Sequence, residues 1–144
     1  MRILSPRKWR LRGVRRQSGR SYVDAKGRLP IDGRMSAVSR FAQLASDWLV
    51  TRSPEAQEAL RAALSKDVRV SSLGASGPEA ALKGLERLAD RFGNRCRLAL
   101  GELNRTPTLI ALVQQDDGTW RAVGHFLVGL AANGAVTYLD YVES

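Results

Sequence analysis

The chain has little of what metal and disulfide chemistry requires. Of its 144 residues one is a cysteine, Cys96, and one is a histidine, His125. A single cysteine excludes an internal disulfide and fits a reducing compartment. One residue of each kind falls short of the three or four ligands of a zinc site, so no metal and no other cofactor is expected. No apolar run approaches the ~18 residues of a membrane helix. No apolar stretch of about 7–15 residues follows the N-terminal arginines, as a secretory signal would require. A cytoplasmic location is therefore expected. Aromatic residues make up 6% of the chain, and its basic start holds only Trp9 and Tyr22, too few to stack a single-stranded nucleic acid.

Positive charge is present in excess, but in one place. Residues 1–34 hold 11 Lys/Arg against 2 Asp/Glu, and residues 35–144 hold 12 of each, so the whole net charge of +9 sits in the first segment. That segment has few strong apolar residues and no period, and reads as a disordered extension. Three readings of it stay open: an extension upstream of a start at Met35, a solvated basic tail, or a tail that contacts nucleic acid or anionic membrane through phosphates. Nucleic acid or membrane is expected as a partner only through this tail. Residues 35–144 are long enough for one domain with one core.

Along that domain, Val38, Phe41, Ala42, Ala45, Trp48 and Leu49 recur at helical spacing, with Ser36 or Ser39 as cap. Ser53-Pro54-Glu55 restarts a helix, expected to end near Lys66-Asp67, and Val68-Arg69-Val70 alternates as a short strand. Gly77-Pro78-Glu79 opens a third helix that Gly93-Asn94 stops. Alternation returns from Arg95 to Leu103, and Asn104 to Pro107 reads as a turn. Three further strands follow, joined at Asp117-Gly118 and Asn133-Gly134, both strong hairpin signals. The order predicts an α+β fold, N-terminal helices packed on one face of a curved, mainly antiparallel sheet.

Two-residue loops at those corners fix which side chains share a face. Ile110 then faces His125, Leu112 faces Val123, Leu127 faces Asp140 and His125 faces Val142. His125, Tyr138 and Asp140 would thus stand in an apolar field of Ile110, Leu112, Val123, Leu127 and Val142. A β-bulge would shift one strand by a residue and change the faces. Trp120, Phe126, Val128 and Tyr141 fall on the opposite face. A sheet apolar on both faces needs cover on both. Helices cover one, and a second copy is expected on the other, which makes Trp120, Phe126, Val128 and Tyr141 the expected dimer face. Trp48 lines a pocket mouth or packs in the core. Cys96 reads as a small buried apolar residue rather than a nucleophile.

Three segments carry a resemblance. "FAQLASDWLVTRSPEAQEALRAALSKDVRV", "GPEAALKGLERLADRF" and "GHFLVGLAANGAVTYLDYVE" are similar, in order and spacing, to the opening helix pair, third helix and closing hairpin of the nuclear-transport-factor-2-like superfamily. These are cone-shaped (cystatin-like) α+β domains that include SnoaL-like cyclases, ketosteroid isomerases and limonene-epoxide hydrolases. The resemblance covers about residues 38–143. It implies a pocket inside the cone for a small hydrophobic molecule. Asp140 matches the last acid of the epoxide hydrolases, but "TLIALVQQ" lacks their arginine and first aspartate. Ser71-Ser72-Leu73 stands where the ketosteroid isomerases carry their base. His125 and Asp140 are similar in type and position to the acid and histidine of SnoaL-like cyclases. Either could then move a proton next to a carbonyl, with Tyr138 donating to the oxygen. Two functions follow: a pocket for a small hydrophobic molecule with general acid/base chemistry by His125 and Asp140, or a non-catalytic interaction module that dimerises through the sheet and uses its basic tail for anionic partners.

Overall fold

The computed structural model describes residues 2–3 and 30–143. The expected disordered extension falls mostly on residues 4–29, which lie outside the described residues. Helix α1 spans Ile31–Thr51, starting before Met35, and follows the extended Pro30. Its buried stripe is the expected one, with Met35 and Ser46 added. It ends where Arg52 turns left-handed (φ 52°) and donates its amide to the Trp48 carbonyl at 2.7 Å.

Helix α2, Pro54–Ala62, starts as the sequence predicts, with Pro54 in its first turn and the Ser53 hydroxyl accepting the Ala56 amide at 3.1 Å. It stops four residues short of Lys66, because Leu64–Val70 is already strand β2. A 3₁₀ turn at Ser71–Leu73 and the short strand β3, Ala75–Ser76, lead to helix α3, Pro78–Phe92. Gly77 allows that entry with φ 101°, a conformation that side chains other than glycine rarely adopt. The long strands are β4, Cys96–Leu103; β5, Thr106–Gln114; β6, Trp120–Leu130; and β7, Val136–Glu143. With β1, Arg2–Ile3, they complete a seven-stranded sheet in the order β1-β4-β5-β6-β7-β2-β3. Among the described residues only β2 and β7 run parallel; every other pair is antiparallel. The sequence-based α+β expectation holds.

The corners differ from expectation in an instructive way. The two-residue loop with both residues at positive φ is Asn104-Arg105, between Leu103 and its partner Thr106. The Asp117-Gly118 corner is one residue longer. Gln115 donates to Thr119, Gly118 donates back to Gln115, and only the glycine has positive φ. This is a turn closed by a left-handed glycine. The Asn133-Gly134 corner repeats it between Ala131 and Ala135. Each longer loop offsets the ladder by one, and each offset is cancelled by a bulge further along. In β6 the extra residue is Val123, between the pairs Ala111–Gly124 and Leu112–Ala122. In β7 it is Thr137, between Gly129–Tyr138 and Leu130–Val136.

Past the bulges the expected register returns: Ile110 faces His125, His125 faces Val142 and Leu127 faces Asp140. Between bulge and corner it does not. Leu112 faces Ala122 instead of Val123, and Trp120 lands opposite Gln114.

The helices and one sheet face enclose a single apolar cluster. Phe41, Trp48, Leu49, Leu60 and Leu85 meet Val70, Leu98, Leu109, Phe126 and Leu139 in it, with Tyr141 packed against its edge. Ser46 ties α1 to β4, its hydroxyl donating to the Leu98 carbonyl (3.1 Å) and accepting the Leu98 amide (2.9 Å). No helix among the described residues is long and apolar enough to cross a membrane.

Candidate functional site

Alternation along β4 to β7 sorts every candidate residue onto one of two faces. Cys96, Leu98, Leu100, Leu109, Ala111, Phe126 and Leu139 point at the helices. Their neighbours in sequence point the other way: Ala99, Ile110, Leu112, His125, Leu127, Tyr138, Asp140 and Val142. His125, Tyr138 and Asp140 do share a face, as the corners implied, but it is the face turned away from the helices. The expected pocket lining is split. Ile110, Leu112, Leu127 and Val142 stand on the outward face, whereas Trp48 and Val123 are buried in the helix-side cluster. Val123 changed sides because it is the bulged residue, and such a residue leaves the alternation.

The expected dimer face is split as well. Phe126, Val128 and Tyr141 belong to the helix side. Only Trp120 faces outward, and it does so because the same bulge moved it there. Tyr141 needs a missing side chain to fit. Its ring packs on Phe126 with centroids 5.0 Å apart, its hydroxyl donates to the Val123 carbonyl at 3.4 Å, and a Cβ on Gly124 would sit 2.6 Å from its Cζ. Burial raises the Tyr141 phenol above its ordinary range, with Arg91 pulling the other way.

The outward face carries polar side chains among its apolar ones. His125 is half-buried, and its Nδ1 is buried with no hydrogen-bond partner. Asp140 and Tyr138 are also half-buried and make no side-chain hydrogen bond or ion pair among the described residues. His125 and Asp140 occupy one diagonal of a four-residue patch, because His125 pairs with Val142 and Leu127 with Asp140. The other diagonal is Leu127 and Val142, 36% and 38% exposed; Trp120, 45% exposed, lies farther along β6. Toward β4 the same face holds the buried Thr108, whose Oγ1 also lacks a partner. Sequence reasoning passed over Thr108; a hydroxyl two residues from Ile110 in an otherwise apolar run was the available signal.

Cys96 is fully buried, and burial pushes its thiol up to about 11 against the opposing pull of Arg97. A thiol so protonated is inert. A surface recess of about 220 Å3 lies between α1, the end of α2 and the β6–β7 corner, with Phe41, Ala63 and Val136 on its floor and Arg40 and Asn133 at its rim.

The fold has known counterparts. An NTF2-like protein of unknown function from Exiguobacterium sp. 255-15 is similar over 75% of this chain and 98% of its own, with a TM-score of 0.54 at 14% identity. Looser likenesses are a Δ5-3-ketosteroid isomerase from Mycobacterium sp. (TM-score 0.41, 18% identity, 75% of this chain and 93% of that one) and Aln2 from a Streptomyces species (TM-score 0.45, 12% identity, 75% and 88%). No family model and no curated protein matches the sequence. The chain has the NTF2-like fold. At this identity the likeness shows the fold alone.

Proposed function

We propose that this domain is a self-associating interaction module, two copies of which meet through the outward sheet face. The observation that carries the reading is the contrast between the faces. The helix side is filled by its own side chains, down to Phe41, Leu85, Leu109 and Leu139, which are almost wholly buried. The outward side is buried toward β4, at Ala99, Thr108 and Ile110, but presents Leu127, Val142 and Trp120 to solvent on β6 and β7. Exposed apolar side chains gathered on one sheet face mark an interaction surface.

The pocket reading receives less support. Acid/base work by His125, Asp140 and Tyr138 asks for a hollow that a substrate can enter. These residues stand on the far side of the sheet from the helix-lined interior. The recess beside Arg40 is smaller than the ~300–1,000 Å3 of ordinary ligand sites. The basic excess in residues 1–34 adds long-range attraction to anionic partners, a steering effect rather than a site.

Sedimentation velocity of the full chain tests the reading. A two-chain particle is expected, reduced to one chain by Leu127→Glu. A single-chain particle for the unsubstituted protein at high micromolar concentration refutes it. Native mass spectrometry of the purified protein showing a retained small molecule on every chain would favour the pocket instead.

A further inference from the structure

We infer that the β4–β5 part of the outward face is covered by residues 4–29 of the same chain, anchored there by Trp9 and Leu11. This cover is independent of self-association. The described residues do not explain how buried the patch is. Ile110 has no exposed surface, and Thr108 and Ala99 beside it keep 1% and 5% of theirs, whereas Leu127, one strand away on the same face, keeps 36%. Neighbouring side chains do not account for the difference. On β4, Ile110 faces Ala99 with Gly101 on the diagonal, and neither is large enough to shade it. Leu127 stands among the larger His125, Asp140 and Val142. The helices do not account for it either, because on these strands they cover Cys96, Leu98, Leu100, Leu109 and Ala111. An apolar sheet face is closed by a second layer, and here that layer comes from outside the described residues.

Position, length and composition select residues 4–29. The burial is complete within one chain, and apart from that segment only Met1 and Ser144 lie outside the described residues. Arg2 pairs with Glu102 and Ile3 with Gly101, antiparallel, so the chain leaves Ile3 at the margin of the patch, headed toward Ala99. The other end of the segment is tied at Pro30, ahead of α1. A stretch of this length reaches about 85 Å when extended, against roughly 5 Å between neighbouring strands. The covered area is small: Leu112, next along β5 on this face, is half-buried, and so is His125 on β6. Trp9 and Leu11 alternate with Lys8, Arg10 and Arg12, so an extended stretch would turn two apolar side chains one way and three cations the other. Ala99 and Gly101 leave a shallow floor beside Ile110. An indole has the bulk to fill it while the cations stay in water. The surface left for a second copy is then the β6–β7 part, with Leu127 and Val142.

Thiol labelling of the full chain tests the cover. Thr108→Cys puts a thiol of similar size under it, Leu127→Cys puts one on the open part, and the unsubstituted chain, whose Cys96 is buried, gives the background. The Thr108→Cys thiol is expected to react at least about tenfold more slowly than the Leu127→Cys thiol. Adding Trp9→Ser and Leu11→Ser is expected to bring the two rates together, with circular dichroism showing that the domain stays folded. Adding Leu127→Glu to Thr108→Cys is expected to leave the protection unchanged. A second measurement leaves the segment intact: in a Trp120→Phe chain, acrylamide is expected to quench Trp9 as poorly as the buried Trp48. A fast Thr108→Cys thiol, protection that survives Trp9→Ser with Leu11→Ser, or a Trp9 quenched like free indole overturns the cover and leaves self-association standing. Protection lost with Leu127→Glu overturns it in favour of a second copy. A single-chain particle in sedimentation with the protection intact removes the dimer and leaves the cover.

Discussion

The two faces of this sheet have similar apolar composition, yet they are closed by different means. On the helix side, apolar residues from α1, α2, α3 and five strands interdigitate, and the polar groups that enter are satisfied within the chain, as Ser46 is by Leu98. On the outward side Ile110 is buried, whereas Leu127 and Val142 stay exposed, and His125 Nδ1 and the Asp140 carboxylate have no partner among the described residues. Burial of apolar area is therefore not a property that the strands carry by themselves. One face is completed by the chain's own helices, and the other keeps exposed apolar side chains on β6 and β7.

The largest effect that separates the faces is expected from Phe126→Ala. Removing a buried ring that also supports Tyr141 should lower the free energy of unfolding in urea by about 3–5 kcal/mol. A loss below ~1 kcal/mol would place Phe126 outside the core and erase the distinction. Next comes Gly124→Ala, whose Cβ meets the Tyr141 ring. A loss of about 1–3 kcal/mol is expected, and a smaller one in a Tyr141→Ala background, where the obstruction is gone. On the outward face, Val142→Ala should change the stability of the single chain by less than about 1 kcal/mol while weakening the dimer, the reverse of the core pattern.

A pH series sharpens the same contrast. The folded chain holds the Cys96 proton from the ordinary value of 9.0 up to about 11, so stability from this source is complete below pH 9 and is lost as pH rises through that window. Thermal unfolding should show a steeper decline between pH 9 and 11 for the native chain than for Cys96→Val; equal slopes would mean that the thiol is not held in the core. The smallest effect belongs to Asp117, whose carboxyl is held below the usual carboxylate range by the Thr119 hydroxyl and amide. Asp117→Ala should speed hydrogen exchange at the Thr119 amide and leave the rest of the sheet unchanged.

Much of the fold was legible because it depends on local rules. The Ser53-Pro54 start of α2, the glycine entry to α3 and the stripe from Val38 to Leu49 each follow from capping or spacing alone. The shared face of His125 and Asp140 was legible too, although by compensation: a longer corner and a bulge each contribute one residue, and the two offsets cancel. Which side of the sheet the helices take was not legible. Both sets of alternating residues are apolar, and period two cannot choose between them. The choice is made by tertiary packing. Bulge positions were hidden for a similar reason, since Val123 is an ordinary strand residue whose unpaired state follows from its neighbours. The start of α1 at Ile31 lay inside a stretch whose basic composition suggested no structure.

The pairing of loop and bulge gives the β5–β6 hairpin a second arrangement within reach. If the extra residue migrated from Val123 into the corner, every pair from Ala111–Gly124 inward would be unchanged, and only the tip would slide by one residue. That slide would rotate Trp120 from the outward surface to the helix side and send Val123 out. Val123, seated in the core, therefore works as a detent. An apolar side chain there keeps the indole outside, and a charged one would favour turning the tip over.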